Sequence, residues 1–318
     1  MLQVVVSSKK REAQDVCTFA LVSADGQALP RFTAGSHVDV HLPQGLSRQY
    51  SLCNSPAENH RYLIGVLREP ESRGGSSAMH DSVQEGDRLL ISLPRNLFAL
   101  DPGAGHSSSL LFAGGIGITP ILSMAEQLAT DGSSFHVHYC GRSRARMAFL
   151  ERIQDAPFAE RVSIHADDEP EHRLDIAATL AQAAKDAHIY VCGPAGFIDA
   201  VVEHAGKAGF GSEQVHVERF AASPMANSGD AGFALELARS GRTIQVGPEE
   251  SVIQALARNG VEIETSCEQG ICGTCMTGVL EGELDHRDMV LSAAEREANN
   301  VFLPCCSRAK GERLLIDL

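Results

Sequence analysis

The sequence predicts a multidomain α+β chain: an antiparallel β-barrel, then an α/β unit on a parallel sheet, then a small cysteine-bearing domain. Three observations predict it. The first hundred residues hold short β-branched runs separated by turn residues. From Ser109 strand-like and helix-like runs alternate, and five of the nine cysteines crowd into the last 52 residues, from Cys267 onward.

In the first unit the runs are "QVVVSSKK", "VCTFALVSA", "HVDVHLP", "RQYSLCN", "YLIGVLRE" and "RLLISLP". Their spacing by Gly, Pro, Asn and Asp suits a small barrel or sandwich. "SLLFAGG" then reads as a buried strand, "TPILSMAEQLAT" as an amphipathic helix, and "SFHVHYCG" and "HIYVCGP" as further strands. Alternating strand and helix implies a parallel sheet. "AASPMANSGD", Ala221 to Asp230, is small, polar and broken by Pro224 and Gly229, a linker composition. Beyond it "FALELARSGRTIQV" predicts a hairpin turning at Ser240-Gly241, followed by a helix from Ser251 to Asn259. The expected boundaries are 1–105, 106–222, a linker at 223–230, and 231–318.

A length of 318 residues implies two or three compact units, and 43% hydrophobic with 21% charged residues is the balance of a folded globular protein. "MLQVVVSSKKREAQ" lacks the central apolar stretch of a signal peptide, and no run approaches a membrane span, so the chain is expected in the cytoplasm with no membrane partner. A formal charge of −14 argues against a nucleic-acid partner, because phosphate binding needs clustered Lys and Arg. The acidic excess lies beyond residue 105, where it suits either solubility or steering of a basic protein partner.

Within "CEQGICGTC", Cys267, Cys272 and Cys275 form a C-x4-C-x2-C array, and "LPCCSRA" supplies Cys305 and Cys306 about thirty residues on. A zinc ribbon wants two close ligand pairs; one triplet and a distant single is the plant-type 2Fe-2S spacing. Gly270 and Gly273 let the loop curl so that backbone N–H groups face the sulfurs, and Ser266 and Thr274 add hydroxyls nearby. Cys305 and Cys306 compete for the fourth position, since neighbours on an extended strand point to opposite faces. Cys17, Cys53 and Cys140 have no ligand spacing and read as small core hydrophobes.

"LLFAGGIGITPILSM" sets Gly114, Gly115 and Gly117 between a strand and a helix, with Thr119 as expected N-cap and Pro120 as first helical residue. Such a loop is either an anion site for a pyrophosphate or a plain tight turn. After the next strand, "GRSRARM" offers Arg142, Arg144 and Arg146 to a 2′-phosphate or an adenine, or simply to solvent, so NADH and NADPH both fit the residues alone. Cys192, Gly193 and Pro194 end a later strand, where open α/β sheets bind ligands. In the β unit, Arg48 offers a fork for phosphate and Tyr50 a flat face, and Gly74, Gly75, Ser76 and Ser77 are either a phosphate nest or an ordinary loop.

Taken together, R-x-Y-S in a barrel, G-G-I-G-I-T-P in an α/β unit, C-G-P after a later strand and a plant-type cysteine array at the C-terminus resemble the phthalate dioxygenase reductase family. Vanillate O-demethylase reductases belong to the same group. The resemblance covers essentially the whole chain in the same order. It implies a flavin barrel binding FMN, a pyridine-nucleotide domain that takes NADH, and a β-grasp ferredoxin domain holding a 2Fe-2S cluster. It assigns Arg48, Tyr50 and Ser51, with Gly75, Ser76 and Ser77, to the flavin. Gly115, Gly117, Thr119, Pro120, Cys192, Gly193 and Pro194 fall to the nucleotide, with Arg142 added from the turn itself, and Phe220 in "VERF" falls to an aromatic near the flavin. Cys267, Cys272, Cys275 and Cys305 fall to the cluster, Cys305 because the family's ligand is the first residue of C-x-S-R-A.

The resemblance implies a reductase component feeding a terminal oxygenase, of the Rieske-type aromatic demethylase or dioxygenase class, and a monomer is the simplest expectation for it. Two other readings are a reductase for a haem or carnitine-type monooxygenase, and a redox sensor that keeps the same cofactors. Hydride transfer demands no acid–base residue, so His37, His41 and His138 are expected to be structural.

Overall fold

The computed structural model describes residues 1–42, 46–70, 74–101, 108–220 and 230–318. The expected boundaries near 105 and 222, and all of the expected linker except Asp230, lie outside the described residues. The chain divides into two compact units, Met1–Phe220 and Ala221–Leu318.

The first unit opens with β1 (Leu2–Ala13), β2 (Val16–Ser23), β3 (Ser36–His41), β4 (Ser47–Ser51), β5 (Tyr62–Leu67), β6 (Arg88–Ile91) and β7 (Arg95–Asn96). They pair in the order β4-β3-β6-β1-β2-β5, with β7 on β3, and every pairing is antiparallel. A bridge between Leu52 and Ile64 brings the end of β4 against β5 and closes the barrel, which removes its open edges. Alternate residues, such as Val4 and Val6, Phe19 and Leu21, Val38 and Val40, fill its interior. The stretch read as a loop or nest at Gly74–Ser77 instead opens a short helix, α1 (Gly75–Asp81), which Gly74 enters at φ 89°. Glycine and serine are weak helix formers, so local preference did not show it.

A second sheet follows: β8 (Ser109–Gly114), α2 (Ile118–Thr130), β9 (Phe135–Gly141), α3 (Leu150–Gln154), β10 (Val162–Ala166), α4 (Ile176–Gln182), β11 (His188–Cys192), α5 (Ala195–Lys207) and β12 (Val215–Glu218). Its strands run parallel in the order β10-β9-β8-β11-β12. The chain order reverses at β8, so a crevice opens at the carboxyl ends of β8 and β11. One face buries Leu111, Val137, Tyr139 and Tyr190 beneath α2, in a core that also takes in Val16, Cys53 and Phe98 from the barrel side. That common core makes barrel and parallel sheet one compact unit. On the other face Ile189 and Val191 pack with Leu180 of α4 and Ile198 and Val201 of α5.

The second unit contains β13 (Phe233–Leu237), β14 (Arg242–Val246), α6 (Val252–Arg258), β15 (Thr277–Glu281), β16 (Leu284–Asp285), α7 (Ala293–Ala298), β17 (Val301–Phe302), β18 (Arg308–Ala309) and β19 (Arg313–Ile316). Its sheet order is β14-β13-β19-β15-β17, with β13 and β19 parallel, and β16 pairs with β18. A mixed sheet folded around α6 is the expected β-grasp. The hairpin turns at Gly241, and Ser251 caps α6 in a reciprocal box with Gln254. Arg308 is buried and donates to the carbonyls of Glu250, Gly247 and Ala231, while Arg287 grips Asp230 at 2.5 and 2.8 Å. Among the described residues no helix is long and apolar enough to cross a membrane.

Candidate functional site

At the carboxyl ends of β8 and β11 the two glycine motifs form one floor. Gly115–Gly117 make a single 3-10 turn into α2. Gly117 lies so close to the Cys192 carbonyl that any Cβ there would overlap it, and Pro194 Cδ comes within 2.8 Å of the place where Gly114 would carry one. The turn also shifts the helix start. Gly117 rather than Thr119 is the N-cap, the Thr119 hydroxyl donates to the Ile116 carbonyl at 2.9 Å, and Pro120 is the third helical residue rather than the first. Both side chains are buried in the first turn of α2.

Cys192 is fully buried, and burial, reinforced by Glu218, holds its thiol well above the ordinary range. Glu218 pairs with Cys192 across β11 and β12. Its Oε2 is buried with no hydrogen-bond partner among the described residues, and burial raises its carboxyl to about 8. The carboxyl is therefore mostly protonated at neutral pH, where it carries a hydroxyl donor instead of a buried charge. Sequence reading passed over Glu218 although it stands in "VERF" beside Phe220, which is exposed.

A consequence can be measured. The native carboxyl, at about 8 against 4.5 in the unfolded chain, keeps its proton while the unfolded one loses it, so stability falls as pH rises between those values. Glu218→Gln should flatten that decline, seen as a smaller drop in urea midpoint from pH 5 to pH 8. An unchanged slope would show that Glu218 ionises normally in the native state.

Of the arginines after β9, Arg144 is clamped by Glu169 at 2.6 and 3.0 Å and Arg146 meets Asp15 at 3.3 Å. All three are exposed, and Arg142 is the one without a carboxylate partner among the described residues. The turn after β10 runs beside it as Asp167-Asp168-Glu169, and the Asp167 N–H donates to the Gly141 carbonyl at 2.9 Å.

On the barrel, Arg48 and Tyr50 share a face of β4, and the Arg48 side chain lies directly over Gly75, where any Cβ would collide with it. Ser51 is buried, and burial holds the Tyr50 phenol well above its usual range. In the first turn of α1, the Ser76 hydroxyl accepts the Glu69 N–H at 3.1 Å and Ser77 donates to the Gly74 carbonyl at 3.2 Å. Strand and helix start thus form a cradle that only glycine leaves open. Burial depresses His37 to about 4 and His138 to about 3, so both rings are neutral at physiological pH.

In the second unit the thiols meet two by two, Cys267 with Cys272 and Cys275 with Cys305, each pair joined by a side-chain hydrogen bond. Two thiols for each of two irons is the donor set a 2Fe-2S cluster requires, so the residues fit the group. Backbone N–H groups of Gln269 and Thr274 face the sulfurs of Cys267 and Cys272 at 3.3 and 3.5 Å. Cys306 also bonds to the Cys305 sulfur, while its thiol reaches the Leu303 carbonyl at 3.7 Å and packs on Gly270. Gly270 has φ 71° and no room for a Cβ beside the Cys306 sulfur, so only glycine serves there.

Residues 235–310 match the 2Fe-2S iron-sulfur cluster binding domain family, and residues 94–215 match the N-terminal domain of the dimethylamine monooxygenase subunit DmmA-like family. Over 319 residues the chain is 52% identical to a vanillate O-demethylase oxidoreductase of Pseudomonas putida, covering 100% of both. A solved phthalate dioxygenase reductase, described as a modular structure for electron transfer from pyridine nucleotides to 2Fe-2S, superposes with TM-score 0.77 at 38% identity over 100% of this chain and 98% of that one. An intact type IV self-sufficient cytochrome P450 monooxygenase gives TM-score 0.86 at 38% identity over 100% of this chain, which spans only 41% of that longer protein. With these motifs and this likeness over its full length, the chain belongs to the family of oxygenase reductases that includes vanillate O-demethylase oxidoreductase and phthalate dioxygenase reductase.

Proposed function

We propose that the protein is the reductase component of an oxygenase system, moving electrons from NADH through FMN and a 2Fe-2S cluster to a terminal oxygenase of the Rieske-type aromatic demethylase or dioxygenase class. The observation that carries this reading is the presence, in one chain, of a flavin cradle, a dinucleotide floor and paired thiols. Bound together, the three groups supply acceptance of a hydride and its release as single electrons.

The chain's own residues position and tune. Arg48 and the start of α1, with Gly75, Ser76 and Ser77, hold the phosphate end of the flavin, and Tyr50 and Ser51 line its ring side. Gly115 and Gly117 let backbone approach the pyrophosphate, Thr119 and Pro120 anchor that turn, and the Cys192-Gly193-Pro194 turn forms the wall on the nicotinamide side. Phe220 lies on the flavin side of the same crevice. Cys267, Cys272, Cys275 and Cys305 ligate the cluster, and the N–H groups of Gln269 and Thr274 tune its potential. NADH is favoured because Arg144 and Arg146 already hold carboxylates, while the acidic turn after β10 repels a 2′-phosphate; Arg142 is left for the adenosine.

The units act as a flavin barrel to residue 105, a nucleotide domain at 106–222 and a ferredoxin domain at 231–318. We take the protein to work as a cytoplasmic monomer with neither membrane nor nucleic-acid partner, in keeping with its charge of −14. A haem monooxygenase is the second reading for the acceptor, favoured by the likeness to the self-sufficient P450. Anaerobic titration with NADH, followed by absorbance and electron paramagnetic resonance, tests the proposal. Flavin bleaching followed by a reduced-cluster resonance is the expected result; a bleached flavin with no such resonance in fully loaded protein would overturn it.

A further inference from the structure

We propose that Asp101, His188 and His216 form a binding site for a divalent transition ion of the zinc kind, at the edge of the parallel sheet opposite the nucleotide floor. His188 opens β11 and His216 is the second residue of β12, so both imidazoles stand at the amino ends of neighbouring strands. His188 Nδ1 lies 3.0 Å from His216 Nε2 and 3.5 Å from Asp101 Oδ2, and one ligand atom from each residue lies within 4.8 Å of the others. For metal–ligand bonds of about 2.0–2.1 Å, the edge of a tetrahedron is about 3.3 Å, so the two separations from His188 Nδ1 bracket that of a zinc site.

The site is also held in place. Tyr190 stacks on the His216 ring at 4.4 Å and 11°, and its hydroxyl accepts the Asp101 N–H at 2.9 Å. One side chain thus orients a ligand ring and anchors the backbone of the carboxylate. Two imidazoles and one carboxylate suit zinc, nickel or copper, whereas calcium and magnesium prefer all-oxygen cages. A comparison lies on the opposite face of the same sheet. There His138 Nδ1 stands 3.1 Å from His165 Nε2, yet among the described residues no carboxylate completes the group. The metal would fasten the segment at residue 101, which leads from the barrel toward β8, to the strand edge.

The test is equilibrium dialysis of flavin- and cluster-loaded protein against Zn²⁺, with bound zinc counted by atomic emission. One saturable Zn²⁺ per chain is expected, with cluster absorbance unchanged. Asp101→Asn and His216→Gln should each weaken binding by at least about tenfold, and His138→Gln should leave it alone. Zinc-edge anomalous scattering from wild-type crystals, which does not depend on how the variants fold, should place a peak between the three residues. No saturable uptake, uptake that tracks cluster loss, wild-type affinity in both variants or a peak elsewhere would each show that these side chains only hydrogen-bond one another.

Discussion

Cys305→Ser should lose cytochrome c reduction by a factor on the order of 100 or more while NADH still bleaches the flavin at the wild-type rate. Altering partners that merely orient a ligand costs about 10–100-fold in metal affinity, and Cys305 is a direct ligand in the proposed set. It forms the second thiol pair with Cys275. Cys306 is adjacent, but its thiol is turned to the Leu303 carbonyl and wedged against Gly270. Cys306→Ser should therefore keep its cluster and its cytochrome c activity. Full activity in Cys305→Ser, or its loss in Cys306→Ser alone, would exchange the two assignments. The paired readout separates cluster loss from general unfolding, because the flavin and nucleotide residues belong to the other compact unit.

Gly117→Ala should raise KM for NADH at least tenfold and destabilise the first unit by about 1–3 kcal/mol, the usual cost of overpacking. The added Cβ would meet the carbonyl of Cys192, which is backbone, so no side-chain rotation relieves the overlap. Either the start of α2 moves or the turn at Cys192–Pro194 does, and both form the proposed nucleotide floor. Gly206→Ala is the matched control: it sits in α5 with nothing within 4 Å of the new methyl, so stability should hold or rise slightly. Stopped-flow reduction of the flavin against NADH concentration reads the first effect and urea midpoints the second. An unchanged KM would remove Gly117 from the binding surface.

Much of this was legible before any coordinates. Strand runs and the hairpin at Gly241 follow from local preference and alternation, and the capped helix at Ser251 from a side chain that competes for its own backbone. The cysteine spacing and the two glycine motifs were readable because their chemistry depends on near neighbours. What could not be read depended on the third dimension. Thr119 looked like a cap because its sequence context fits one, but the 3-10 turn had already satisfied the helix start one step earlier. The helix α1 hid behind Gly74-Gly75-Ser76-Ser77, residues that favour turns. Glu218 drew no notice because a carboxylate on a short strand looks solvent-facing until its neighbours bury it. Asp101, His188 and His216 lie far apart in the chain, and only the order of strands in the sheet brings them together.

The division of the apolar interior has a thermodynamic consequence. Among the described residues, the unit Met1–Phe220 holds three hydrophobic clusters and the unit Ala221–Leu318 holds two. Cooperativity in unfolding comes from shared burial, and each unit has an apolar interior of its own to lose in one step.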